Sequence, residues 1–216
     1  YDLYAERIHS VHKHRFDIKQ ENIAKAGIWI AKKRYAQWVI NVEGHTVDKL
    51  DVKGIDVVRS NFPTAMRTFM AEVLKGILEN KTQDAIDEMV LDFKDDMKKM
   101  DIGDIAKSTG VKNIEKHVFK DQDNVIELSK GAPAHVKAAV AYNNMMRRTG
   151  NTQLGEIRSG DKIKWVYLKQ NPFGLGAIAF KNYDDPDVVK EFIKKYINYD
   201  MIFTRELNNK LGAFYS

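Results

Sequence analysis

Gly27-Ile28-Trp29-Ile30-Ala31-Lys32-Lys33-Arg34-Tyr35-Ala36-Gln37-Trp38-Val39-Ile40-Asn41-Val42 sets two runs of aromatic and β-branched residues around three consecutive cations. Runs of this kind suit a pleated, half-buried surface and predict two strands. Glu43-Gly44 follows with turn chemistry. A third run, from Lys49 to Arg59, carries Val52, Ile55, Val57 and Val58. Upstream, the segment from Tyr1 to about Val11 reads as the end of a helix, and His12 to Gln20 alternates as a strand would. Residues 12–59 therefore read as an antiparallel meander.

Beyond that point the apolar period changes from two to about 3.6. Asn61 is a fair N-cap and Pro63 fits a first helical turn. Ala65, Met66, Phe69, Met70, Val73, Leu74, Ile77 and Leu78 keep the three-four spacing of one buried helix face. Thr82 caps a second helix with Ile86, Met89, Val90, Phe93 and Met97 on one face; Asp84, Asp87, Glu88, Asp92, Asp95 and Asp96 make the other a solvated acidic surface. From Asp101 to Gly131 the pattern is weak. A helix is expected from about Pro133 to Arg148, a strand from Lys162 to Lys169, a break at Asn171-Pro172-Phe173-Gly174 and a short strand from Ala177 to Phe180. Asp184 or Asp185 should cap a helix with Pro186 in its first turn, and a last helical stretch should run from Met201 to Leu211. The expectation is an α+β chain: an incomplete antiparallel sheet over residues 1–60, then a mostly helical part over residues 61–216 with a small β element at about 162–180.

Composition narrows the class of function without deciding it. With 216 residues the chain can bury one good core or two smaller ones. The formal charge of +5 is compatible with a nucleic-acid partner. The absence of cysteine excludes disulfides and cysteine metal sites and suits a cytosolic life. No apolar run approaches the roughly 20 residues that span a bilayer, so no membrane partner is expected. No signal peptide is visible, and Tyr1 enters an amphipathic stretch with no initiator Met, so the chain reads as a piece of something longer.

The residues with most to say are Lys32, Lys33, Arg34 and Tyr35. A triple cation at a strand junction is poor material for a core. It reads as an exposed basic turn, or as a surface offering donors to phosphate oxygens and minor-groove acceptors, with an aromatic to pack on a sugar. Other candidates are poorer. His9, His12 and His14 lack a neighbouring carboxylate pair and read as surface or sheet histidines. Asp121-Gln122-Asp123-Asn124 starts like a calcium loop whose glycine and closing glutamate are misplaced. Gly174-Leu175-Gly176 completes no dinucleotide fingerprint.

The segment from Gly27 to Ala36 resembles the glycine-aromatic-strand-Lys-Lys-Arg-Tyr stretch of family B DNA polymerases, especially the T-even bacteriophage type. Lys53-Gly54-Ile55-Asp56-Val57-Val58-Arg59-Ser60 is similar to the family's strand that leaves the palm for the thumb. Lys130-Gly131-Ala132-Pro133-Ala134-His135-Val136-Lys137, with Tyr142-Asn143 downstream, is similar to the thumb motif that holds the duplex backbone. Gly160-Asp161-Lys162-Ile163-Lys164, Asn171-Pro172-Phe173-Gly174 and Ile178-Ala179-Phe180 are similar to a strand and turn late in the thumb. The four motifs keep the family's order across nearly the whole chain.

The resemblance implies the C-terminal part of a palm over residues 1–60 and a thumb over 61–216. Their task would be binding and positioning primer-template duplex DNA for a DNA-directed DNA polymerase in replication. It implies DNA contacts from Lys32, Lys33, Arg34 and Tyr35 at the primer end, Arg59 at the junction, and Lys130, His135 and Lys137 in the thumb. Ser108, Thr109 and Asn113, expected in a polar loop, are weaker candidates. The family's two metal-binding aspartates should lie upstream of Tyr1, so this chain should hold no catalytic residue and no Mg2+, and should be inactive alone. Tyr183-Asp184-Asp185-Pro186-Asp187 has the spacing of the family's Tyr-x-Asp-Thr-Asp turn with Pro for Thr, and reads as a helix cap. The expected partners are duplex DNA and the remaining polymerase domains: fingers, exonuclease and the rest of the palm. Self-association through exposed palm surface is a further expectation. The expected location is the cytoplasm, of a bacterial host if the gene is a phage's. A natural component of a split polymerase and a stand-alone nucleic-acid-binding protein descended from a thumb are the alternatives.

Overall fold

The computed structural model describes residues 21–55, 59, 61–122, 125–151, 155–181 and 185–212. The expected helix end at 1–11 and strand at 12–20 lie outside them. The chain forms two compact units, one of Tyr1–Ile55 and Ala71–Ile86, the other of Asp56–Met70 and Asp87–Ser216.

The first unit carries a three-stranded antiparallel sheet, β1 (Asn22–Ala31), β2 (Arg34–Val42) and β3 (His45–Lys53), paired in sequence order. The meander is as read, with shifted ends. β1 begins five residues before Gly27. β3 begins right after the Glu43-Gly44 turn and stops at Lys53; Asp56, Val57 and Val58 of the expected run lie outside the described residues. Glu43 and Gly44 both have positive φ, 50° and 90°, the backbone a tight hairpin turn of matching twist requires. β3 stops because Gly54 turns the chain at φ +68°. Ala36, Trp38 and Val39 of β2 are buried. Lys25 and Lys75 lie over the Trp38 ring, 3.4 and 5.2 Å from its centroid, and the indole N–H donates to Asp48.

Helix α1 (Thr64–Leu78) follows Pro63, whose carbonyl accepts from Arg67 N, and buries Met66, Phe69, Met70, Val73, Leu74 and Leu78 as its spacing predicts. The Thr82 hydroxyl caps α2 (Gln83–Asp96) by accepting from Ala85 N at 3.3 Å. In the second unit Phe69 stacks on Phe93 with ring centroids 4.1 Å apart. The acidic residues of α2 are all exposed, and its Asp95 and Asp96 pair with Lys98 and Lys99 at 2.8 Å. Surface pairs of this kind contribute little to stability.

The stretch with weak pattern is structured. A helical turn, α3 (Ile102–Ile105), leads into β4 (Lys107–Gly110), and β5 (Val118–Gln122) and β6 (Val125–Leu128) form a separate hairpin. Then come α4 (Ala134–Arg148), β7 (Lys162–Tyr167), β8 (Ala177–Phe180), α5 (Asp187–Tyr196) and α6 (Tyr199–Phe203). A π-type segment, Thr204–Asn208, and a last helical turn to Leu211 continue from α6. β7 is the middle strand between β4 and β8, all antiparallel. The small β element is therefore a three-stranded sheet, and its polar edge strand Lys-Ser-Thr-Gly carries no apolar alternation by which to be read. The α+β class stands.

Of the two expected caps, Asp184 lies outside the described residues and Asp185 is not the N-cap of the following helix. The N-cap of α5 is Pro186, whose carbonyl accepts from Val189 N. Asp185, 2 % exposed, instead accepts from the Tyr142 hydroxyl at 2.9 Å and from Lys181 N at 2.7 Å. Burial first, then the hydrogen bond to Asp185 and its charge, push the Tyr142 phenol well above its ordinary range.

Candidate nucleic-acid interface

Lys32 and Lys33 are the two-residue connection of the first hairpin, with Ala31 facing Arg34 across it. Lys33 adopts φ 64°, a left-handed conformation that costs a side-chain-bearing residue roughly 1–2 kcal/mol. Lys32, Lys33 and Arg34 are exposed and Tyr35 is half-buried. Two neighbours escaped the sequence reading of the site. Trp29 pairs with Tyr35 across the strands and is 63 % exposed. Its ring crosses over Gly27, where a Cβ would come within 2.5 Å of the indole. Lys53 pairs with Tyr35 from the other side and adds a fourth exposed cation. Glycine followed two positions later by an aromatic on the same strand face was the available signal for Trp29.

Gly54 bears on the backbone of this turn. A Cβ built on it would stand 2.1 Å from the Lys33 carbonyl oxygen and 2.9 Å from Arg34 Cγ. Only glycine combines that approach with φ +68°. Gly54→Ala should therefore destabilise the chain by about 2–4 kcal/mol. Gly44→Ala, also at positive φ but with open space around it, should cost only about 1–2 kcal/mol. Thermal midpoints of the two variants compare the terms directly; equal losses would show that the Gly54 approach does not constrain the turn.

The second unit holds another group of cations, around the entrance to α4. Pro133 is the N-cap, Lys137 N donates to its carbonyl, and Lys137 Nζ reaches the Lys130 carbonyl at 3.4 Å. Lys130 and Lys137 are exposed and His135 is half-buried. Ser129 N donates to the His117 carbonyl and ties this turn to the segment before β5. Burial, then the charges of His117 and Lys107, hold the His135 imidazole below its ordinary value. His117 and Lys107 were not among the residues the sequence singled out.

A depressed histidine pKa has a definite sign. Between the folded and unfolded values the unfolded chain binds more protons, so this stabilisation is present above about pH 6.5 and is lost as pH falls through that value toward the lower folded one. His135→Gln should flatten the fall in thermal midpoint between pH 7.5 and 5. An unchanged pH profile would show that His135 does not carry that dependence.

The remaining candidates are dispersed. Ser108 and Thr109 lie in strand β4 and not in a loop, because β4 pairs with β7. The Thr109 hydroxyl accepts from the Trp165 indole N–H at 3.1 Å. Asn113 is exposed at φ 55°, opening a single 3-10 turn. Arg59 is exposed, and its carbonyl accepts from Phe62 N and from Arg67 Nη2. The calcium-like Asp121 is in β5 and accepts from Arg147, which also binds Glu156. The Tyr142-Asn143 pair is internal: Asn143 bonds both Ile157 N and Ile157 O.

The chain is thus α+β, with an exposed hairpin turn of lysines and arginine in its first unit and a lysine-histidine helix entrance in its second. Comparison with known proteins is specific: the family model for DNA polymerase family B matches residues 2–213, and the chain belongs to that family. It is 23 % identical over 219 residues to the DNA-directed DNA polymerase of Enterobacteria phage T4, covering 98 % of this chain and 23 % of that protein. Against the DNA-directed DNA polymerase of Escherichia phage RB69 it is 24 % identical over 194 residues, 88 % of this chain and 21 % of the other. The catalytic polypeptide of DNA polymerase alpha from Saccharomyces cerevisiae is 27 % identical over 167 residues, 74 % of this chain and 10 % of that protein. The chain thus spans less than a quarter of the length of these relatives. Among the described residues no helix is long and apolar enough to cross a membrane.

Proposed function

We propose that this chain binds primer-template duplex DNA and positions the primer end for a family B DNA polymerase in replication. Residues 1–60 would form the end of a palm and 61–216 a thumb. The observation that carries the reading is the Lys32-Lys33-Arg34 turn, exposed and seated on Gly54, in a chain of this family. Lysine and arginine donate to phosphate oxygens without reading sequence, as copying any template requires. Tyr35 and Trp29 offer flat apolar faces beside those donors. Lys130, His135 and Lys137 would hold the backbone further along, where the first turn of α4 adds amide donors. Arg59, Ser108, Thr109 and Asn113 are subordinate contacts in this reading.

In this reading the chain does not hold the Mg2+ of polymerisation. In the one stretch spaced like the family's aspartate turn, Asp185 has both carboxylate oxygens engaged inside the protein. That engagement supports a structural role for Asp185, with the metal-binding aspartates in other parts of the polymerase. Fingers, exonuclease and the rest of the palm are the proposed protein partners.

The test is a salt titration of labelled primer-template duplexes of two unrelated sequences. Equal affinities that fall steeply with salt are expected; binding that discriminates strongly between the sequences, or none at low salt, overturns the reading.

A further inference from the structure

The turn Asn171-Pro172-Phe173-Gly174, between β7 and β8 in the second unit, has no part in the contacts assigned above. It is tightly built. The Asn171 side chain donates to the carbonyls of Lys169 and Leu175 at 2.9 and 2.6 Å, and accepts from the backbone N–H of Phe173 and of Leu175 at 3.2 Å. Gly174 N donates to the Asn171 carbonyl at 3.1 Å, with Gly174 at φ +63°. Lys169 N donates to the Tyr196 carbonyl at 2.7 Å and ties the base of the turn to the end of α5. The turn holds out Phe173, which is 56 % exposed, beside Val188 of α5 at 42 %. Two of the five exposed large apolar side chains among the described residues thus share one patch, which marks it as a place of contact.

An open cavity of about 580 Å³ lies between Phe173 and α5, over Val188, Phe192 and Tyr196. A second, of about 320 Å³, lies between Phe173 and α4, lined also by Ala141, Met145 and Arg148. Phe192 supports the Phe173 ring from 5.7 Å and meets Tyr196 at 4.9 Å. The Arg148 guanidinium stands 5.9 Å from the Phe173 ring centroid. The lining carries Arg148, Lys194 and Lys195 against the one carboxylate of Glu191, all four exposed. Neighbouring Lys190 and Asp187 pair with each other at 3.9 Å. A displayed aromatic face with cations around it suits an anion that carries a flat ring. Two exposed apolar side chains fall far short of the roughly 800 Å² that a stable protein interface buries on each partner. They match a single base.

We propose that the Phe173 groove binds an unpaired base of single-stranded DNA. The base stacks on Phe173 beside Arg148, and Lys194 and Lys195 take the flanking phosphates. The choice of DNA as the ligand rests on the function proposed for the chain.

The test is a set of anisotropy titrations with three labelled probes: a blunt duplex, the same duplex with a single-stranded thymidine overhang, and the single strand alone. The parent is compared with Phe173→Ala, Phe173→Leu and the double variant Lys194→Gln/Lys195→Gln. Phe173→Leu keeps an apolar side chain on the turn and guards against a folding defect. The parent should bind the overhang probe more tightly than the blunt duplex. Either Phe173 variant should weaken binding of the overhang and the single strand by about 5- to 150-fold, the range of one lost base stack, and leave the blunt duplex unchanged. The double lysine variant should lower the log-log salt slope for the single strand by about 1 to 1.5. Phe173-dependent binding of the single strand by a parent that binds no blunt duplex keeps this site and sinks the duplex reading instead. A parent that gains nothing from the overhang, a Phe173→Leu variant equal to the parent on every probe, or a loss shared equally by the blunt duplex overturns the proposal.

Discussion

Replacing Lys32, Lys33 and Arg34 together by alanine should lower the log-log salt slope of duplex binding by roughly 2 to 3. Each phosphate neutralised on duplex DNA releases condensed counterions and contributes about 0.9 to that slope. Affinity at low salt should fall by orders of magnitude, because the lost contacts are electrostatic and the turn is exposed. Minor-groove contacts release fewer counterions, so a clear affinity loss with a smaller change in slope would assign these residues to base edges instead of phosphates. The acidic face of α2 supplies the control. Neutralising Asp92, Asp95 and Asp96, which are exposed, should leave the slope nearly unchanged if that face points away from DNA. A basic triple variant that binds as tightly as the parent at every salt concentration would remove the primer-end assignment. Because the turn adjoins no buried charge among the described residues, the variant should keep the parent's thermal midpoint, which separates loss of binding from loss of fold.

The largest effect on stability is expected at Asp185. Asp185→Ala removes the acceptor for the Tyr142 hydroxyl and for Lys181 N. Tyr142 is fully buried, so its hydroxyl has no water to turn to. Each buried donor left without an acceptor costs about 1–3 kcal/mol, and the two together should cost about 2–5 kcal/mol. Tyr142→Phe removes one of those donors and should be much milder. In the double variant Asp185→Ala should cost less than in the parent, with a coupling of about 0.5–3 kcal/mol in denaturant titrations. A metal-ligand role makes the opposite forecast: little loss of stability from Asp185→Ala, and a midpoint that responds to Mg2+ in the parent alone.

The basic turn and Asp185 show where sequence reading reached and where it stopped. The Gly27–Val42 stretch announced its strands because alternation with period two and β-branched side chains are local properties. Likewise the apolar three-four spacing of residues 65–78 was sufficient for α1, and Thr82 for the start of α2. Lys32, Lys33 and Arg34 were legible as a surface because three adjacent cations have no place in a core. Four motifs in one order were enough for the family, although no single motif would have been.

Other features depend on residues far apart in the chain. β4 is four polar residues with no periodicity, and is a strand only because β7 offers it a partner. Asp185 looked like a helix cap because caps are local; its partner Tyr142 is 43 positions away, and a hydrogen bond across that distance leaves no trace in composition. The end of β3 at Gly54 follows from a backbone approach to Lys33, 21 positions earlier, that glycine alone permits. Nothing local marks Glu206, yet in the fold it is 3 % exposed and accepts from both Lys107 and Lys210, the first 99 positions away. Side-chain type and spacing alone therefore determined most of the elements outside residues 101–131, the exposed basic turn and the family. Tertiary structure decided which polar groups are buried and which distant residues meet, because burial and long-range pairing belong to the folded chain and not to any window of its sequence.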